Sequence, residues 1–362
     1  MSESATASAP AKTQPKAKKN RLSSGFFRFV LTRFLLIIPT VFILVTIVFF
    51  VMRATGDPIS AAMGGRLTPE ELQRRIHAAG YDRPLVVQYL DYLGGLLRGD
   101  LGTTLTDNQP VTTILTRYGA ATFELAFLSL IVALIVGIGL GRLAARRRDH
   151  AADAGIRVFA ILCYATPVFF LGLMLKLVFA VWLNVLPPSG RSSFASDMQF
   201  QRLVSPTGFY IIDAFQLGDM SVLVDVLRHA VLPALALGLL TAGVFIRLVR
   251  TNVISTYTSG YVEAARSRGV SEGRLLSKHA WRPAMIPIIT VMGMQIALML
   301  AGAVLTETTF EWKGLGFMLS QYLKQRDFVA VQGIVILIAI IVAVVNFLVD
   351  VIAALIDPRV RY

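Results

Sequence analysis

Six stretches of the chain are apolar over about the 20 residues that a helix needs to cross a bilayer. The first, FLLIIPTVFILVTIVFFVM, fills the interval 33–53 between two arginines. The second covers about 119–141, broken only by Glu124, and the third about 158–186, broken only by Lys176. The remaining three cover about 230–247, 284–306 and 328–350, the fourth being the shortest. Pro39, Pro167, Pro233 and Pro287 fall inside or at the edges of these runs. In a bilayer such prolines kink a helix without ending it. The pattern predicts an all-α polytopic membrane protein with six transmembrane helices.

The polar intervals carry their own signals. Residues 1–28, rich in Ser, Ala, Pro and Lys, have nothing to bury and read as a disordered basic tail. The run behind it is too long for the apolar core of a cleaved signal peptide. Within the segment 54–118, TPEELQRRIHAAGYDRP predicts a helix with Thr68 as N-cap, Pro69 at its first position and Gly80 as its stop. The next stretch, LVVQYLDYLGGLLRGDLGTTL, is amphipathic and interrupted by glycines, fit to lie on the membrane face or to cap the spans.

Charge gives the direction. Only 16% of the residues are charged, against about 25% in soluble domains, so the net charge of +13 does not describe a soluble nucleic-acid binder. The bases punctuate apolar runs. With the N-terminus inside, the inner segments hold 21 of the 35 lysines and arginines, while the outer ones hold 12 with a larger number of acids. The positive-inside rule then places both termini in the cytoplasm. The single cysteine, Cys163, excludes an intrachain disulfide.

The largest inner interval, 248–283, is out of keeping with its apolar flanks. Tyr261 to Arg268 predicts a short helix with Glu263 in its first turn, where a carboxylate suits the helix dipole. Gly269 is its C′ residue, free to take positive φ. Ser271 can cap a second helix, which Pro283 closes before the fifth span. The first helix presents alanines at 264 and 265, a nearly flat surface that another protein can approach closely. A solvated connector is the other reading of the same residues.

Glu263-Ala264-Ala265, then Gly269 and the pair Ile286-Pro287, resembles the EAA loop of ATP-binding cassette (ABC) importer permeases. The resemblance extends through RFLLIIPTVFILVTIVFFVMRATGDP, DRPLVVQYLDYLGGLLRGDLGTTL, AGAVLTETTFEWKGLG and the terminal DPRVR, in order, to the B-type subunit of the dipeptide/oligopeptide (peptide/nickel) group. The basic tail is longer than is usual there. The resemblance implies the type I importer permease fold in a bacterial cytoplasmic membrane. It implies as partners a homologous C-type permease, two ABC ATPase subunits and an extracytoplasmic binding protein or lipoprotein. It places the joint with the ATPases at Glu263, Ala264, Ala265 and Gly269, with Arg266, Arg268, Arg274, His279 and Arg282 around it. Peptide is the implied cargo; nickel, glutathione or oligosaccharide fits the same architecture.

No chemistry of its own is written into the chain. It has no Gly-Lys dipeptide and hence no P-loop, so ATP and Mg2+ are expected on the partner ATPases and no cofactor or metal here. The four histidines are scattered and form no triad or metal pattern. Gly137 and Gly141 lie within a span and suit close helix packing rather than a nucleotide. Lys176 is expected to face the translocation path or to pair with Glu124, with snorkelling to the outer interface as the alternative. Met292, Gln295 and Met299 are path candidates on the fifth span, since methionine surfaces adapt to varied ligands; ordinary packing is their alternative. A stand-alone secondary carrier would require inverted repeats and an intramembrane ion site, neither of which is visible.

Overall fold

The computed structural model describes residues 21–65 and 67–356; the expected tail up to residue 20 and the terminal DPRVR lie outside them. Fifteen helices are described: α1 (Arg21–Ala54), α2 (Pro58–Met63), α3 (Pro69–Ala78), α4 (Leu85–Leu97), α5 (Val111–Arg146), α6 (Ala151–Ala165), α7 (Val168–Leu175), α8 (Phe194–Phe200), α9 (Tyr210–Leu217), α10 (Met220–Tyr257), α11 (Gly260–Ser267), α12 (Glu272–Arg274), α13 (Trp281–Phe310), α14 (Leu315–Lys324) and α15 (Phe328–Ile356). Among the described residues the only β pairing is one antiparallel bridge, Thr103 to Pro110. Among the described residues, four helices are long and apolar enough to cross a membrane, and two bent pairs bring the number to six if each pair is one span.

Every span is longer or less regular than its apolar run. α1 begins at Arg21, so the last residues of the expected tail are helical. α10 has 38 residues, about 57 Å, and continues far beyond both ends of the fourth run. The third run is not one helix. Thr166 is extended (ψ 128°), Pro167 opens α7, and the two halves meet at 109°. Beyond Leu175 the chain passes into a π-helical stretch, Lys176–Trp182. The second helix expected after Ser271 does not stop at Pro283. A π-helical stretch, Leu275–Ala280, joins α12 to α13, which carries Pro287 within it and bends by 42° at Ile286.

The central contact is α5 against α10, and small residues permit it. A Cβ on Gly137 would lie 2.5 Å from Phe245 Cβ, and one on Gly141 would lie 2.6 Å from Val249 Cβ. Gly238 on α10 meets the Ser129 carbonyl of α5 in the same way. Close helix approach through small residues is the main source of association where lipid supplies no hydrophobic gain. α6 crosses α10 at Gly243, which lies against the Ala160 carbonyl and the buried Cys163. α1 pairs with α15, and α13 packs between α10 and α15.

The 54–118 segment folds as a cap over one end of this bundle. Thr68 Oγ1 accepts from Glu71 N, and Gly80 takes φ +71°, as the sequence predicts. α4 lies on the end of α1 through Phe49 stacked on Tyr92 and through Thr46 Oγ1 bonded to Tyr89 Oη at 2.7 Å. A buried carboxylate, Asp327, ties the same region to α15. It accepts from Leu105 N (2.7 Å), Thr106 N (2.9 Å) and Thr106 Oγ1 (3.0 Å), and from Ala330 N at the start of α15. Asp327→Ala removes both the helix cap, worth about 1 kcal/mol, and the anchor. Limited proteolysis of the variant is therefore expected to cut within residues 99–110 well before the rest of the chain; a wild-type cutting pattern would refute the anchor.

Candidate functional site

The charged interval after α10 forms a helix and a turn, built on the ends of the long helices. Ser259 is extended and α11 follows; its buried Val262 is the side chain that fixes it to the body of the protein. Glu263 and Ala264 point outward, and Ala265 is half-buried. Gly269 N donates to Arg266 O (2.9 Å) and Val270 N to Ala265 O (3.3 Å), the closing bonds of a helix end that needs a left-handed residue. Gly269 supplies it with φ +80°. Ser271 takes the N-cap position of α12, though only its backbone carbonyl serves there.

The turn is held by charge. Arg266 Nε donates to Glu272 Oε1 at 2.7 Å, and its guanidinium lies 5.1 Å from the Tyr257 ring centroid. The Tyr257 hydroxyl also donates to Glu272. The end of α10, α11 and α12 are thus locked to one another by a single arginine-carboxylate-phenol set. Tyr261 Oη reaches the His279 carbonyl at 3.5 Å. Trp281 and Leu276 pack on Val249 and Val253, and Arg142 at the end of α5 covers the Trp281 ring at 4.5 Å. Arg268, Arg274 and Arg282 remain exposed. The sequence brings out α11 and Gly269; the Arg266–Glu272–Tyr257 lock it does not, because the spacing of those residues fits no helical period.

Nearby, inside the bundle, Asp153 is fully buried and accepts both Arg250 Nε (2.6 Å) and Arg250 Nη2 (2.7 Å). This bidentate pair joins α6 to α10 close to the α11 end.

At the opposite end the expected Lys176–Glu124 pair does not form. Glu124, 4% exposed, accepts Arg191 Nη2 at 2.6 Å and Ile211 N at 2.8 Å. Arg191, 8% exposed, also donates to Gly208 O at 2.9 Å and lies 3.7 Å from the Tyr210 ring centroid. Burial pushes the Tyr210 phenol up to about 12, so the ring beneath the guanidinium is neutral at physiological pH. Lys176 instead donates to the Thr309 carbonyl at 2.9 Å, with its ammonium 5.6 Å from the Phe310 ring. The π-helical start at Lys176 and the Thr166–Pro167 break turn the lysine toward α13 rather than toward α5.

The candidates on the fifth span differ in their surroundings. Met299 is buried among Ala121, Leu125, Leu237 and Trp312, a packing role. Met292 is half-buried against the α10 cluster, and Gln295 is half-buried. Glu307, given no role in the sequence, is fully buried and closes the α13–α14 turn. It accepts Thr122 Oγ1 (2.7 Å) and Phe317 N (2.9 Å), while Thr122 in turn accepts Leu315 N (2.8 Å). A cleft of about 880 Å³ opens beside the Glu124–Arg191 pair, with Arg117, Tyr118, Asp197 and Lys313 on its walls.

Comparison with known proteins matches this arrangement to one kind of molecule. Residues 137–362 match the family described as binding-protein-dependent transport system inner membrane component. Residues 26–125 match the N-terminal family of the same membrane components. The chain is 37% identical over 336 residues to the di/tripeptide transport system permease protein DppB of Pseudomonas aeruginosa (strain UCBPP-PA14), across 92% of this chain and 98% of that protein. It is 37% identical over 338 residues to the dipeptide transport system permease protein DppB of Escherichia coli (strain K12), across 92% and 99%. A chain from inward-facing structures of the MetNI methionine ABC transporter superposes with a TM-score of 0.50 at 14% identity, over 68% of this chain and 97% of that one. That likeness concerns the fold alone.

Proposed function

The chain belongs to the family of binding-protein-dependent transport system inner membrane components, and from that premise we propose that it is the permease through which an ABC importer takes up di- and oligopeptides. The observation that carries this reading is the similarity to two DppB permeases over 92% of the chain. The permease sits in the bacterial cytoplasmic membrane with both termini inside, as the distribution of basic residues indicates. A homologous C-type permease completes the pathway, and an extracytoplasmic binding protein delivers the peptide to the side that carries α4 and α14.

The stroke enters through α11. Two ATPase subunits hold ATP and Mg2+, and each meets a helix of this kind. This chain itself performs no chemistry. Glu263, Ala264 and the exposed Gly269 turn form the contact, with Arg268, Arg274 and Arg282 at its rim. Because Arg266 and Glu272 bind α11 to α10 and α12, force on α11 passes to α10 and α13 as rigid bodies, a gating transition between two packed states.

The test is co-purification from mild detergent of the full-length, tagged chain expressed with its ATPases. The ATPases are expected to accompany the wild type and to be lost from Glu263→Lys, which reverses the charge on the outward face. They are also expected to be lost from Gly269→Pro, because proline cannot adopt positive φ. ATPases retained by both variants would refute α11 as the joint. Uptake of a labelled dipeptide by the complete importer in liposomes tests the cargo, and uptake of nickel but no peptide would refute it.

A further inference from the structure

Six buried polar side-chain atoms have no well-formed hydrogen bond among the described residues, and four of them line one cavity: Arg53 Nε, Gln88 Oε1, Tyr92 Oη and Gln332 Nε2. The Tyr92 and Gln332 side chains interact with each other, but Arg53 Nε and Gln88 Oε1 are left without a partner. Buried polar atoms are normally satisfied, so the space requires a polar occupant. The cavity measures about 340 Å³ and lies between the end of α1, the α3–α4 cap and the first turns of α15. Gln88 and Gln332 are only 9% and 7% exposed. The orientation of Gln88 is set by its own amide, whose Nε2 donates to Tyr81 O (2.9 Å) and Arg83 O (2.8 Å).

The lining carries two carboxylates: Asp91, paired with Arg83 at 3.4 Å, and Asp100, which accepts Gly102 N at 2.9 Å. The one base there, Arg53, decides the sign of the occupant. Its guanidinium carbon lies 4.5 Å from the Tyr81 ring centroid and 5.1 Å from that of Phe49. It makes no ion pair among the described residues. A guanidinium held by two rings with its donors uncommitted matches a phosphate or a carboxylate, which its planar fork binds through paired hydrogen bonds. Tyr92 and Gln332 add donors beside it.

Position decides the source. Arg53 follows the apolar run of α1 directly, so a helix crossing a hydrocarbon layer of about 30 Å brings it to headgroup level. Apolar surface flanks the cavity on both sides. α4 exposes Leu85, Val86 and Leu90, and α1 exposes Ile47, Phe50 and Val51. An amphipathic helix with such a face lies in the interfacial plane, and acyl chains can run along α1 below it.

We infer that this cavity is a headgroup site for a membrane phospholipid, with Arg53 holding the phosphodiester and Tyr92 and Gln332 completing its hydrogen bonds. The bound lipid joins α1 to the α3–α4 cap and α15, adding Arg53 to the contact that Tyr92 and Gln332 already make.

Native mass spectrometry of the full-length importer complex, released from nanodiscs of phosphatidylethanolamine and phosphatidylglycerol, tests this. The wild type is expected to retain phospholipid through delipidating washes and in the presence of excess inorganic phosphate. Arg53→Met is expected to weaken retention by about tenfold or more, and Tyr92→Phe, which removes one hydroxyl, by about fivefold. Arg74→Met, an exposed arginine on α3, is the control and retains lipid as the wild type does. Equal retention by Arg53→Met and wild type would overturn the proposal. So would an equal loss in Arg74→Met, which would mean general charge attraction, or displacement of all lipid by inorganic phosphate, which would mean a free-anion site.

Discussion

Arg191→Met is expected to destabilise the chain by about 3–5 kcal/mol, because it leaves Glu124 charged and buried without its partner. The two groups are only 7% and 3% exposed at their side chains and 2.6 Å apart, so Glu124 depends on the guanidinium for most of its stabilisation. The cost falls on more than one element. Arg191 ties the segment after the π-helical stretch to Gly208, while Glu124 also holds Ile211 N at the start of α9. Thermal unfolding in detergent is expected to show a lower midpoint for Arg191→Met and for Glu124→Gln. The double variant is expected to be less damaged than the sum of the two, as residues in one network are not additive. The same geometry predicts failure of another exchange. Glu124→Lys combined with Lys176→Glu is not expected to recover stability, since Lys176 is bonded to Thr309 O. Recovery would show that the two charges meet after all.

The second large effect is expected at the α5–α10 contact. Gly141→Val would place its Cβ 2.6 Å from Val249 Cβ and 3.1 Å from the Ile246 carbonyl. Overpacking a rigid interior typically costs about 1–3 kcal/mol and occasionally more. Here one obstacle is backbone and the other a stiff β-branched stem, so the upper end applies. Size-exclusion chromatography of a fluorescent fusion is expected to show little monodisperse protein. Gly139→Ala is the matched control. A Cβ there meets nothing within 4 Å, and alanine is the better helix former by about 0.8–1.0 kcal/mol. If Gly139→Ala and Gly141→Val behave alike, close packing is not what Gly141 provides.

The spans were legible because apolar runs of bilayer length have few other uses, and Thr68, Gly80 and Gly269 were legible because caps and left-handed turns demand particular residues. Their ends were not. Hydropathy falls at Arg228 and Arg247, yet α10 continues through both, since polar residues outside the hydrocarbon layer cost a helix nothing. The break at Thr166–Pro167 shows the ambiguity of proline in a membrane protein. The residue that α10 carries within an unbroken helix at Pro233 opens a new helix at Pro167. What separates them is the residue before: Thr166 is free to be extended, whereas Leu232 is fully buried within a packed helix. The Glu124 partner was out of reach because Arg191 lies 67 residues away, beyond any helical period. The same holds for Asp327 and Glu307, whose partners are backbone amides brought close only by the fold.

The position of Cys163 has an experimental consequence. It is the sole cysteine of the sequence, and at 6% exposure it is enclosed where α6 crosses α10 at Gly243. Thiol-directed reagents therefore have no accessible native target in the folded protein. Cysteines introduced at Thr112 and Ser267, both exposed and at opposite ends of the bundle, can carry a pair of spectroscopic labels in an otherwise unmodified chain. The separation of those labels then reads directly, in the working membrane, whether α11 moves against α5.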